Sequence, residues 1–349
     1  MSFRKPELTA IDLFAGAGGL TEGLKQAGFR VIGAVEMNAL AVETYQMNHP
    51  KVRLWHRDIR TLSGADIRRG LRIDKGDLDL LAGCPPCQGF STMRTLNGGR
   101  IIDDVRNDLV FQFLRLIEEL APKTILMENV PGLASDRRMS IVRRVLRRLG
   151  YQSECSVLDA ADFGVPQRRR RMILFASRSK SLKIRRRSIP RTTVRDAIYS
   201  LPKAGNSGDP LHDLPERRGA NVMALIRDIP KDGGSRTDLG PDRQLACHIQ
   251  CDGFKDVYGR MSWDSVAPTI TTGCFNPSKG RFLHPAEDRN ITLREAALLQ
   301  TFPPEYRFSL RKGKTHAAVL IGNALPPLFI RCQAELIARK LRVNHRSKR

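Results

Sequence analysis

Cys84 and Cys87 flank two prolines in "LLAGCPPCQGFSTM" (residues 80–93), a C-x-x-C spacing that three chemistries could use. A structural zinc would need four ligands. The only source of a second pair is "CHIQC", with Cys247, His248 and Cys251, at an unfamiliar spacing from the first. A thioredoxin-like redox pair belongs to a small fold that lacks the glycine loop described next. The third reading is a single thiolate nucleophile at the carboxyl end of a strand. Pro85 and Pro86 would stiffen the turn that presents it, and nearby arginines and helix-start amides would lower its pKa.

A second cluster lies in "DLFAGAGGL" (residues 12–20), where Gly16, Gly18 and Gly19 sit between a predicted strand and a predicted helix. Glycines there let the backbone approach a ligand and present amides at a helix start. The dinucleotide fingerprint would require a glycine where Thr21 stands, so that variant is weakened. Glu36 ends the next predicted strand, 20 residues after Gly16, a position from which a carboxylate accepts both hydroxyls of a ribose. Asp58 follows "VRLWHRDI" and is placed to reach an adenine amino group. Together they point to an adenosine-containing cofactor; the alternative is a tight structural turn with two surface acids.

The elements that must carry these residues alternate. β-rich runs at 9–16, 30–37, 78–83, 124–130, 151–160 and 171–177 are separated, for the most part, by helical patterns near 19–29, 38–48, 107–120 and 139–149. Such alternation predicts an α/β fold with a doubly wound, mostly parallel sheet, with ligands at the carboxyl ends of the strands. After Ser177 glycine, proline, aspartate and arginine become frequent and periodicity weakens, which reads as a smaller, loop-rich module. Helical patterns return at 292–302 and 326–342. The expected divisions are 1–177, 178–313 and a segment 314–349 returning to the first.

Composition sets the partner class. With 349 residues, 41% hydrophobic and 27% charged, the chain has the make-up of a globular protein. Fifty-nine Lys and Arg against 36 Asp and Glu leave a net charge of +23, which favours a polyanion through counterion release. No apolar run approaches the roughly 18–20 residues that span a bilayer. Seven scattered cysteines argue against a secreted disulfide framework and for a reducing, cytosolic compartment.

Six motifs occur in one order: "DLFAGAGGL", "GCPPCQGFS", "ENV", "QRRRR", "REAALLQTFP" and "GNALPP". In order and spacing the chain resembles the cytosine-5 DNA methyltransferases over nearly its whole length, leaving about 178–261 unmatched. Two departures stand out: Cys84 replaces the usual glycine or other small residue, and Leu298 stands where the family usually has arginine. The resemblance implies the S-adenosylmethionine-dependent methyltransferase fold, S-adenosylmethionine as methyl donor, no metal, and duplex DNA as substrate. It makes Cys87 the thiolate that adds to carbon 6 of cytosine and Glu128 the acid at N3, with Asn129 and Val130 holding the turn. Arg169 would meet the cytosine carbonyl and orient the base with Glu128, and alternation would put Gln167, Arg169 and Arg171 on one face. Phe14, Gly16, Gly18, Gly19, Glu36, Asp58, Pro86 and Asn323 would serve the cofactor, and Gln88, Ser91 and Arg171 the DNA.

Further expectations follow from that reading. The polar segment 89–108 reads as a lid that closes over DNA and delivers Cys87, because a cytosine must leave the duplex to be reached. The basic stretch 178–195 opens the module that would position and read the duplex; Arg260, Trp263 and His248 lie within that module. The paired arginines at 137/138, 143/144 and 147/148 suit a solvated helix face or a phosphate contact. A bacterial cytoplasmic enzyme follows, nucleoid-associated through DNA, monomeric, unattached to membrane, and sharing its site with a cognate restriction endonuclease without stable complex. The rivals are a tRNA-methylating relative and a non-catalytic DNA-binding protein on the same fold.

Overall fold

The computed structural model describes residues 7–86, 109–179, 182–184, 189–240, 243 and 256–346. Cys87, Gln88, Ser91, the whole of the expected lid and His248 lie outside the described residues. The chain divides into two compact units: Met1–Phe163, Arg170–Ser188 and Leu325–Arg349 form the first, and Gly164–Arg169 with Ile189–Ala324 the second. The boundaries differ from those expected at 177 and 313. Gln167 explains the first difference, because its side-chain amide donates to Leu299 O and Gln300 Oε1 and accepts from Ile270 N. It thereby ties 164–169 into the second unit.

The first unit is built on seven strands: β1 Leu8–Leu13, β2 Phe29–Glu36, β3 Arg53–His56, β4 Leu80–Gly83, β5 Thr124–Asn129, β6 Gln152–Asp159 and β7 Arg170–Ser177. Their order is β3-β2-β1-β4-β5-β7-β6. Pairings from β3 to β5 are parallel, and β7 runs antiparallel to both β5 and β6. Strands β4 and β5 are buried at every residue, as expected where helices cover both faces of a sheet. The order reverses between β1 and β4, so the crevice beyond their carboxyl ends is the topological switch point at which such folds bind ligands.

Helices α1 Gly19–Gln26, α2 Ala39–Asn48, α3 Gly64–Leu71, α4 Leu109–Leu120 and α5 Arg137–Arg148 follow in chain order. The main core joins Ile11, Leu13, Leu81, Ile125 and Met127 of the sheet to Ile67 of α3, Phe113 and Ile117 of α4, and Val142 and Leu146 of α5. One side of α5 is therefore apolar, while Arg137, Arg143, Arg144, Arg147 and Arg148 are exposed and Arg138 is buried against Asp136.

The second unit carries α6 Val194–Ile198, α7 Ala220–Asp228, α8 Leu293–Leu299 and α9 Gly313–Asn323, joined by long irregular segments. Helix α10, Pro327–Arg346, belongs to the first unit and packs on α1. The approach is close enough that a Cβ on Gly23 would lie 2.5 Å from Pro327 O. Contrary to the sequence expectation, residues 313–343 are long and apolar enough to cross a membrane, but 72% of the apolar window is buried inside the protein.

Polar groups anchor both interiors. In the first unit Asp12 is 0% exposed; its Oδ2 accepts from Thr21 Oγ1 at 2.7 Å, and Thr21 Oγ1 lies 2.8 Å from Tyr45 Oη. Burial pushes the Asp12 carboxyl up to about 7, against the hydrogen bonds from Thr21 and with a small addition from Glu36. In the second unit Arg260 is also 0% exposed. Its Nε donates to Ile229 O, its Nη1 to His284 O and Glu287 O, and its Nη2 to Ile226 O and Asp288 Oδ1. A guanidinium has five N–H donors, and here each has an acceptor. Arg260, which lies in the expected base-reading module, thus ties together the segments around it, while Trp263 stacks edge-on with Tyr199 and His284.

Two outcomes follow. The Asp12 pKa is higher folded than unfolded, so its contribution to stability is complete below about pH 4 and falls as pH rises toward the folded value. Denaturation of wild type and Asp12→Asn from pH 4 to 8.5 should therefore show a gap in favour of the variant. That gap should widen up to pH 7, by as much as about 4 kcal/mol, and stay level beyond it. Arg260→Met leaves four carbonyls and a carboxylate without their donor, at a cost of about 3–5 kcal/mol. Hydrogen exchange should show amides near 226–229 and 283–289 losing protection, while those of β1, β4 and β5 keep theirs.

Candidate active site

At the carboxyl end of β1 the chain turns sharply, with Phe14 at φ 62°, Gly16 at φ 54° and Gly18 at φ 92°. Phe14 holds a left-handed conformation that only glycine adopts without strain. Gly18 caps α1 with no side-chain hydrogen bond. Glu36 fixes the loop: Oε2 accepts from Gly16 N at 2.8 Å, and Oε1 accepts from Met37 N at 2.8 Å and Asn38 N at 2.7 Å. Asp58 lies just past β3, the strand beside β2, where it caps a short 3-10 turn by accepting from Arg60 N and pairs with the Arg60 side chain. A Cβ built on Gly16 would meet nothing within 4 Å. Open space above a glycine turn, bordered by carboxylates at two adjacent strand ends, fits a nucleoside cofactor.

Beyond β4, Cys84 N donates to Leu13 O at 3.3 Å, and Pro85 O accepts from Asn129 Nδ2 at 2.8 Å. Asn129 is 4% exposed, and its Oδ1 takes the Val130 amide at 2.9 Å. The end of β5 therefore grips the Pro85–Pro86 turn. Of the two cysteines, Cys84 is a free thiol, pushed well above its ordinary pKa first by burial and then by Glu128 and Asp12. A thiol held protonated is a poor nucleophile and a poor metal ligand. Among the described residues no group of three or more His, Cys, Asp or Glu side chains could hold a metal ion.

Glu128, 7% exposed, forms an ion pair from Oε1 to Arg171 Nε at 2.9 Å. The pairing of β5 with β7 explains the contact, because Glu128 stands opposite Ile173 and a diagonal neighbour two residues along lies on the same face. Arg169, expected beside Glu128, lies elsewhere. It is 3% exposed in the second unit, where Nη1 donates to Ile270 O and Nη2 to Gly322 O, both at 3.1 Å. The expected alternation fails for a plain reason: β7 begins at Arg170, so Gln167 and Arg169 precede the strand. Asn323 is exposed at the last residue of α9, in the second unit.

The sequence reading gives Arg171 to DNA and misses it as the partner of Glu128. The antiparallel match between "TILMEN" and "RRMILFAS" is the signal that could reveal it.

The geometry agrees with known proteins. The family model described as C-5 cytosine-specific DNA methylase matches residues 8–339. Type II methylase M.HgiDII of Herpetosiphon aurantiacus is 37% identical over 360 residues, covering 97% of this chain and 97% of its own. Type II methyltransferase M.XorII of Xanthomonas oryzae pv. oryzae is 34% identical over 371 residues, 95% of this chain and 85% of its own. The crystal structure of a DNA modification methyltransferase encoded within an E. coli prophage superposes with a TM-score of 0.70 at 28% identity, over 96% of this chain and 99% of that one. The chain belongs to the C-5 cytosine-specific DNA methylases and is an S-adenosylmethionine-dependent DNA (cytosine-5)-methyltransferase.

Proposed function

We propose that the enzyme methylates a cytosine flipped out of one short duplex sequence, through a covalent bond between Cys87 and carbon 6. The observation that carries this reading is the Glu128–Arg171 ion pair, buried at the end of β5 beside β4, the strand that precedes Cys87 in the chain. Carbon 5 of cytosine is too weak a nucleophile to react unaided. Adding the Cys87 thiolate to carbon 6 forms the S–C6 bond and moves the ring electrons toward carbon 5 and N3. Glu128, acting as the acid, passes a proton to N3 to offset the charge that gathers there, accepts from the exocyclic amine, and takes the proton back when the S–C6 bond breaks.

Arg171, rather than Arg169, takes the base-orienting role in this reading. Its Nε holds Glu128 and its Nη1 donates to Arg170 O, leaving Nη2 for the cytosine carbonyl. Arg169 then acts as a brace within the second unit. When bound, S-adenosylmethionine supplies an electrophilic methyl group. Phe14, Gly16, Gly18 and Gly19 would line its site with Pro86, Glu36 would hold the ribose and Asp58 the adenine, and Asn323 would brace that end. Once carbon 5 carries the methyl group, loss of its proton to a base, water in our reading, lets the S–C6 bond break and returns Cys87.

Gln88, Ser91 and the segment 89–108 would contact the opened duplex, and the second unit would select the sequence. We assign the catalytic and cofactor role to the first unit and target recognition to the second. The Type II names of the relatives support a modification partner to a restriction endonuclease that shares the site without a stable complex. The enzyme is then a cytoplasmic monomer that meets the nucleoid through DNA.

Bisulfite sequencing of plasmid from cells expressing the chain should show methylation confined to one short motif, and none with Cys87→Ser. Trapping on 5-fluorocytosine DNA should give a covalent complex, as a non-catalytic binder would not. No methylation from folded, cofactor-binding protein would turn the reading toward RNA. Arg171→Ala should lower turnover about 100-fold with little change in melting temperature. Arg169→Ala should instead lower the melting temperature through its lost buried hydrogen bonds, with near-normal turnover in the folded fraction. The reverse pattern would return the role to Arg169.

A further inference from the structure

Glu128 has a neighbouring strand on each side. Strand β7 supplies Arg171 from one side, and β4 lies on the other. Gly83, the last residue of β4, stands opposite Met127, so the next residue, Cys84, comes level with Glu128. Its backbone is fixed at both ends by the Cys84 amide on Leu13 O and the Asn129 amide group on Pro85 O. Side chains at one level of neighbouring strands stand on the same face of the sheet, which sets the thiol alongside the Glu128 carboxylate. Its raised pKa keeps the sulfur protonated, hence a donor toward that carboxylate.

We propose that Cys84 is a positioning residue for the methyl-transfer site, its S–H donating to Glu128 from the β4 side while Arg171 holds the same carboxylate from the β7 side. Held by both neighbouring strands, the carboxyl group is confined to one orientation and presents a defined edge to the base. A glycine at this position has no donor and leaves Glu128 held by Arg171 alone. The inference rests on the reading of Glu128 as the group that acts at N3.

Steady-state kinetics of Cys84→Ala, Cys84→Ser and Glu128→Gln on duplex DNA carrying the methylated motif, with melting curves, test it. Cys84→Ala should lower kcat about tenfold with KM for DNA and for S-adenosylmethionine unchanged. Cys84→Ser, which keeps an O–H donor, should recover most of that loss. Wild-type kcat in Cys84→Ala overturns the proposal. So does a folded Cys84→Ser as slow as Cys84→Ala, which would mark the sulfur as packing. Glu128→Gln separates the two levels: wild-type turnover there sinks the reading of Glu128 itself, whereas a slow Glu128→Gln beside a fast Cys84→Ala sinks only the role of Cys84.

Discussion

An ionisable group carried out of water must be met by a partner or give up its charge, and this chain concentrates that demand at the carboxyl ends of its central strands. Asp12, Cys84 and Glu128 follow one another across β1, β4 and β5, with Asp12 and Glu128 buried and Cys84 half-buried. Each answers differently. Asp12 takes hydrogen bonds from Thr21 at the start of α1 and shifts toward its neutral form. Cys84 stays a thiol. Glu128 takes a guanidinium. Three neighbouring acids could not all ionise there without a cation, and the antiparallel β7 is the element that brings one. The reversed last strand is thus part of the site as well as of the sheet.

The second unit meets the same constraint with fewer apolar residues. Its helices are short, and buried polar clusters take over part of the work of a core. Arg260 joins carbonyls from two segments, 226–229 and 284–287. Arg289 makes two contacts of 2.8 Å with Glu295, a residue 1% exposed. His284 lies 3.7 Å from Glu295, and burial pushes it down to about 4, so it sits there as a neutral ring at neutral pH. Fully satisfied networks of this kind specify one arrangement of loops more narrowly than apolar packing does. The excess positive charge is divided between the two tasks: buried arginines organise loops, and exposed ones such as those of α5 face solvent.

Much was determined by sequence alone, wherever the information is local. The glycine turn, the run "GCPPCQ" and the strand-ending "ENV" could be read without coordinates, because backbone strain, proline stiffness and an acid at a strand end each depend on neighbours in the chain. The strands and helices expected in the first unit lie close to where their patterns put them for the same reason, whereas β3 and α3 were not among those expected. The tertiary structure alone decided which side chains meet. The four arginines from Arg168 to Arg171 look alike as sequence, yet Arg169 reaches Ile270 and Gly322 while Arg171 reaches Glu128. What separates them is where β7 begins and which residue of β5 it faces, and register is a property of two strands at once. Arg260 became an anchor of loops because segments distant in sequence close around it, and no short stretch of sequence carries that information.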